Sequence, residues 1–163
     1  MDDKFAEKNK CIMITGKGEP DIATRMFLKR MSIQYTIPII ALMDSDPYGL
    51  EILITYKWGS KNMCYDVFNL AIPSIKWLGV FPSDIDKYKI PIDCRIKMTD
   101  DDIKKGKELL LYNVFINNPL WKFQLETMIA NKYKAEIQCF SKLSLSYLSS
   151  YYLPLKLLNG DWI

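Results

Sequence analysis

Ile39-Ile40-Ala41-Leu42-Met43-Asp44-Ser45-Asp46-Pro47-Tyr48-Gly49 is the stretch that decides how this chain is read. An unbroken apolar run ends in two acidic residues spaced i, i+2, then Pro and Gly. Such a run suits a strand buried on both faces, as in a parallel sheet. Side chains at i and i+2 of an extended segment point the same way, so Asp44 and Asp46 leave the strand's carboxyl end on one side. Two carboxylates there repel each other unless a cation lies between them, and hard oxygen ligands suit Mg²⁺. The carboxyl ends of parallel strands are also where open α/β sheets keep their sites. A second reading fits Asp46 equally well. Asp at the N-cap and Pro at the first helical position start a helix. Leu50, Leu53, Ile54 and Trp58 then repeat at helical spacing until Gly59. Capping leaves Asp44 unexplained, and the two roles are compatible.

Working outward, Cys11 to Thr15 reads as a short apolar strand and Gly16 to Asp21 as a loop. A helix is predicted from about Pro20 to Ser32, with Ala23, Met26 and Phe27 on its inner face. The strand Pro38 to Met43 follows, then the helix Pro47 to Trp58. This β-loop-α-β-loop-α order is that of a doubly wound parallel sheet. Tyr65 to Phe68 and Ser74 to Trp77 are further predicted strands, and the Pro82 to Pro91 region reads as irregular. From about residue 99 the chain is mainly helical. Thr99 with Asp102 forms a capping-box pattern, and Lys104, Lys105 and Lys107 complement the helix dipole, so Asp100-Asp101-Asp102 reads as a helix start rather than a second acidic site. Pro119 to Lys132 is another predicted helix, and Ser144 to Tyr152 is helical in character until Pro154 limits it.

Composition excludes more than it assigns. The 163 residues suffice for one domain with a substantial core. No apolar run approaches a membrane span. A net charge of +3 is too small to argue for nucleic acid by itself. The chain has no histidine, which removes the usual general base and the commonest zinc ligand. Cys11, Cys64, Cys94 and Cys139 show no paired spacing and read as reduced, mostly core thiols. Gly16-Lys17-Gly18, between a strand and a helix, suits either a phosphate cradle or a plain tight turn. Arg25, Lys29 and Arg30 give the next helix a basic side, which suits either a plainly solvated face or, near the acidic end of the sheet, contact with a DNA backbone. Lys17, Arg25 and Lys29 are thus the candidate DNA contacts.

Taken together these segments resemble one family. Ile14-Thr15-Gly16-Lys17-Gly18-Glu19-Pro20-Asp21, with Ala23-Thr24-Arg25, is similar to its T-G-K-G-x-P-D…T-R segment, and Asp44-Ser45-Asp46-Pro47-Tyr48-Gly49 to its D-x-D-P-x-G motif. Ile75-Lys76-Trp77-Leu78-Gly79 with Pro82-Ser83-Asp84 resembles its W-L-G…P-S-D block. Lys134-Ala135-Glu136-Ile137-Gln138 and Tyr152-Leu153-Pro154 with Lys156-Leu157 resemble its C-terminal blocks. The family is that of the meiotic double-strand-break transesterases and their archaeal relatives, the topoisomerase VI A proteins. The final Asp161-Trp162-Ile163 is similar to the end of the eukaryotic meiotic members.

The resemblance implies an α/β fold of Toprim type, a parallel sheet flanked by helices with a mainly helical C-terminal portion. It implies a nuclear protein that binds Mg²⁺ through Asp44 and Asp46 and acts on double-stranded DNA. Full-length members are homodimers that work with meiotic accessory proteins and a topoisomerase VI B-like subunit. A tyrosine on an N-terminal winged-helix domain attacks the phosphodiester and stays joined to the 5′ end. The family also has a Glu, in a V-E-K-like stretch, that completes the metal site. That Glu should precede Cys11 by some two dozen residues, and only ten are present there. No tyrosine here matches the nucleophile, which is expected upstream. The expectation is therefore residues 1–163 of a Toprim domain without its first strand and the winged helix, catalytically incomplete as an isolated chain. The rival expectations are a non-catalytic dimerisation or DNA-holding module of the same fold, and another Toprim nuclease.

Overall fold

The computed structural model describes residues 4–18, 20–59 and 70–163. Its centre is a pair of parallel strands, β1 (Ile40–Leu42) and β2 (Lys76–Gly79). Ile40 is opposite Lys76 and Ala41 opposite Trp77, after which the register slips so that Leu42 faces Gly79. Pairing continues past β1: Met43 N–H donates to the Gly79 carbonyl at 2.7 Å, and Val80 N–H to the Met43 carbonyl at 2.7 Å. On the far side of β2, Trp77 and Ile163 exchange both backbone hydrogen bonds, at 2.7 and 2.9 Å.

Strand alternation divides the interior in two. Ala41 and Trp77 face one cluster with Leu50, Leu53, Phe115, Trp121 and Leu125. Leu78 faces the other with Val80, Ile85, Phe140, Tyr152 and Leu153, and Ile40 and Leu42 pack against it. Both faces of the sheet are therefore covered, which is why the Ile39 to Met43 run carries no polar residue.

Eight helices can be named among the described residues. α1 is Phe5–Lys8, α2 is Ile22–Gln34, α3 is Pro47–Trp58 and α4 is Asp84–Lys87. α5 is Asp100–Leu109, α6 is Asn113–Ile116, α7 is Pro119–Asn131 and α8 is Leu153–Leu158. A second small ladder pairs β3 (Ile96–Lys97) with β4 (Tyr133–Lys134) antiparallel. The helix starts follow the sequence closely. Asp21, Asp46, Thr99 and Asn118 each cap a helix through the side chain, and Thr99 with Asp102 makes both halves of a capping box.

Several expectations are corrected. Cys11 to Thr15 forms no strand: Ile12 is 63% exposed, and no described neighbour supplies the ladder that β-propensity alone cannot replace. The inner face expected for α2 is outside, since Met26 and Phe27 are exposed and Arg25 is buried instead. The helical character expected from Ser144 to Tyr152 is present as a π-type turn at Leu148–Tyr152, but Pro154 does not limit it: it lies in the first turn of α8, into which that turn runs. The strand predicted at Tyr65 to Phe68, and Cys64, lie outside the described residues. Cys94 and Cys139 are buried and Cys11 is exposed, all three as free thiols.

Candidate metal centre

The end of β1 is held extended from a third direction. Ser45 and Ala135 exchange both backbone hydrogen bonds, at 2.8 and 3.1 Å, in an antiparallel bridge. Ser45 is thereby fully buried, and its Oγ is one of the few buried side-chain atoms without a hydrogen-bond partner. Asp44 and Asp46 consequently share the opposite face. Asp46 has extended backbone angles, φ −146° and ψ 165°, and its Oδ1 accepts from Gly49 N–H at 2.5 Å. Asp44 Oδ1 accepts from Ile137 N–H at 2.7 Å. Gly49 is required by close approach, because a Cβ there would sit 2.6 Å from the Asp44 carbonyl oxygen.

Both readings of Asp46 therefore meet in one arrangement. It caps α3, and it stands beside Asp44 with one carboxylate oxygen of each residue still unengaged among the described residues. Burial raises the Asp46 pKa above its ordinary value, and the Asp44 and Asp102 carboxylates push the same way. The Gly49 N–H and the Lys134 ammonium oppose that rise. A half-buried carboxylate destabilised by two others is a group that a divalent cation would relieve. The donor set is hard oxygen, which fits Mg²⁺. Among the described residues no third Asp, Glu, His or Cys joins it, so water would fill the remaining octahedral positions.

Around the pair, the residues quoted as separate motifs come together. Lys134 follows Tyr133 in β4, one residue before Ala135 of the Ser45 bridge, and its ammonium lies 2.9 Å from Asp102 Oδ2 and 3.1 Å from Oδ1. Behind the sheet, Asp84 Oδ2 accepts from Tyr152 at 2.5 Å, Phe81 N–H at 3.0 Å and Lys156 at 3.1 Å. Asp84 is 1% exposed and Lys156 is fully buried, with its ammonium 3.6 Å from the Phe81 ring centre and 3.2 Å from Asp161. A buried carboxylate so paired ties the start of α4 to Tyr152 and to α8. The sequence pattern predicted the capping role of Asp102, but neither its ion pair with Lys134 nor the Asp84 network. The signal available was only that Asp84, Tyr152 and Lys156 each sit in a quoted block, separated by up to 72 positions.

The three basic candidates do not form one exposed face. Arg25 is 2% exposed, and Lys29 donates to the Ala71 carbonyl at 2.8 Å. Lys17 alone of the three is presented to solvent, in a left-handed conformation at φ 52° beside Gly18. Asp21, in the same segment, spends its carboxylate on Thr24, accepting from its N–H at 2.8 Å and its hydroxyl at 2.6 Å.

Comparison with known proteins gives the family of the chain. The family described as the Toprim domain of topoisomerase 6 A and Spo11 proteins matches residues 1–157. The chain is 54% identical over 162 residues to the A3 protein of DNA topoisomerase 6 from Oryza sativa subsp. indica, covering 99% of this chain and 37% of that protein. It is 46% identical to "Meiotic recombination protein SPO11" of Mus musculus, covering 100% of this chain and 41% of that protein. It is 38% identical to the A protein of type 2 DNA topoisomerase 6 from Aeropyrum pernix, covering 98% of this chain and 43% of that protein. The chain thus spans less than half the length of these relatives. With its parallel β1–β2 pair and an acidic carboxyl end, it belongs to the topoisomerase 6 A/Spo11 family, as that family's Toprim domain.

Proposed function

We propose that this chain is the Mg²⁺-binding Toprim portion of a topoisomerase VI A-like protein that makes meiotic DNA double-strand breaks by tyrosine transesterification. The observation that carries the reading is the Asp44–Asp46 pair, held on one face by the Ser45–Ala135 bridge with a free oxygen on each. Bound there, Mg²⁺ would offset the negative charge that gathers on a phosphodiester during attack, worth several kcal/mol. Asp44 and Asp46 hold the ion, Ile137 N–H and Gly49 N–H fix their orientation, and Lys17 is the exposed phosphate contact. Arg25, buried, and Lys29, bound to the Ala71 carbonyl, are the weaker candidates. The nucleophilic tyrosine, a second protomer and a B-like partner belong to the whole protein's machinery, which would work in the nucleus.

Tyr152 is not a substitute nucleophile. It is fully buried, and burial together with the Asp84 carboxylate drives its pKa far upward. On its own the chain would serve as a metal- and DNA-holding module. A second reading has an observation in its favour: the 54% identity to a plant topoisomerase 6 protein exceeds the 46% to the mouse meiotic protein. It keeps the same cleavage chemistry and assigns the breaks to strand passage instead of meiosis. Both readings require metal at Asp44 and Asp46. Calorimetric titration of the chain with Mg²⁺, beside Asp44→Asn and Asp46→Asn, tests this. Saturable binding lost in both variants supports it, and equal binding by all three removes the site from these residues.

A further inference from the structure

We infer that Lys134, tethered by Asp102, is the resident counter-charge of the Asp44–Asp46 pair and sets how tightly that pair holds a divalent cation. The inference rests on the metal reading above and extends it to residues outside the ligand set. Because Ser45 and Ala135 are directly paired and antiparallel, Asp46 stands across from Lys134 and Asp44 across from Glu136. All four side chains leave the same face of that two-strand ribbon. The face therefore sets one ammonium beside the acidic pair, and Glu136 does not join that pair as a third metal-holding carboxylate.

The ammonium is not free to collapse onto Asp46. It is bound to both oxygens of Asp102, whose side chain is almost wholly buried. Asp102 in turn cannot follow Lys134, because its Oδ2 accepts from Thr99 N–H at 2.8 Å while Thr99 Oγ1 accepts from Asp102 N–H at 3.1 Å. The capping box that starts α5 thus anchors a cation beside the acidic pair. Another lysine on α5, Lys105, is committed to Glu51 of α3 at 2.7 Å. In metal-free protein Lys134 offsets part of the repulsion between Asp44 and Asp46. Against an incoming divalent ion the same charge is repulsive. Holding it on Asp102 keeps that repulsion moderate and leaves the two free carboxylate oxygens open.

The two partners carry opposite charges toward the site and are expected to act in opposite directions, whereas an ion pair that only braced the fold would leave Mg²⁺ affinity unchanged in folded variants. Lys134→Met removes the opposing charge and is expected to tighten Mg²⁺ binding roughly tenfold, as a unit charge several ångströms from a divalent ion in a partly solvated site should. Asp102→Asn keeps the cap but releases the ammonium toward Asp46, and is expected to weaken binding several-fold, on the order of the same electrostatic effect reversed. Lys134→Arg should retain wild-type affinity. The measurement is calorimetric titration of the complete chain with MgCl₂ at fixed ionic strength, with circular dichroism confirming each variant's fold. Lys134→Gln carries the same expectation should Lys134→Met not fold. Unchanged affinity in the Lys134 variants, or shifts of the same sign in the Lys134 and Asp102 variants, overturns this inference alone. Absence of saturable Mg²⁺ binding in every protein overturns the metal reading and this inference with it.

Discussion

The Tyr152 hydroxyl donates to Asp84 at 2.5 Å, joining the π-type turn that leads into α8 to the first residue of α4. Gly79, at φ +149°, makes room for it, since a Cβ at that position would collide with the Tyr152 hydroxyl. The family blocks W-L-G, P-S-D and Y-L-P…K-L are therefore one structural device. Tyr152→Phe leaves a buried carboxylate short of one donor and is expected to destabilise by about 1–3 kcal/mol. A melt indistinguishable from wild type would show that the hydroxyl is dispensable to the fold.

Lys156 tests the same device more severely. Its ammonium is fully buried between Asp84 and Asp161. Lys156→Met keeps much of the apolar stem but strands the Asp84 charge, and is expected to cost about 3–5 kcal/mol. Denaturant unfolding measures it, and the double variant Lys156→Met with Asp84→Leu should recover part of the loss.

Asp46→Asn separates capping from metal binding. Asn caps nearly as well as Asp, so the helix start survives. The raised pKa of Asp46 means that the folded state binds its proton more readily than the unfolded chain. Ionised Asp46 therefore works against stability as pH rises from the unfolded value through the higher folded one. In metal-free neutral buffer the variant is expected to melt at or slightly above the wild-type temperature. A marked drop would make Asp46 chiefly a structural residue.

Acid should act in the opposite sense at Asp102. Burial raises its pKa, but the Thr99 N–H and the Lys134 ammonium outweigh that and hold it below the ordinary 3.8. The unfolded chain takes up this proton first, so the stabilisation is complete above the unfolded value and lost as pH falls through the lower folded one. The difference in melting temperature between wild type and Asp102→Asn is expected to shrink on acidification below about pH 4. A gap that stays constant with pH would place the effect elsewhere.

Local rules made much of the fold legible. Asp46, Pro47 and Gly59 bound α3 as the spacing predicts, and Thr99 with Asp102 starts α5 as a capping box. These signals are short-range and carry their own chemistry. The paired acids were legible for the same reason. What escaped was set by distant partners. Arg25 is buried and Phe27 is 50% exposed because tertiary packing, not helical periodicity, chose the inner face of α2. Cys11 to Thr15 reads as a strand by composition, but a strand needs a paired edge. Lys134 reaches Asp102 across 32 positions and Lys156 reaches Asp84 across 72, contacts that no local pattern encodes.

The central claim is that Asp44 and Asp46 serve DNA cleavage by the whole protein. Its most direct test incubates the full-length protein, with its B-like partner, on supercoiled plasmid in Mg²⁺ or Mn²⁺, followed by denaturing protease treatment. Breaks with protein covalently on the 5′ ends are expected, absent in both Asp44→Asn and Asp46→Asn and absent for residues 1–163 alone. Breaks that persist in both variants, or that residues 1–163 produce unaided, would contradict the account.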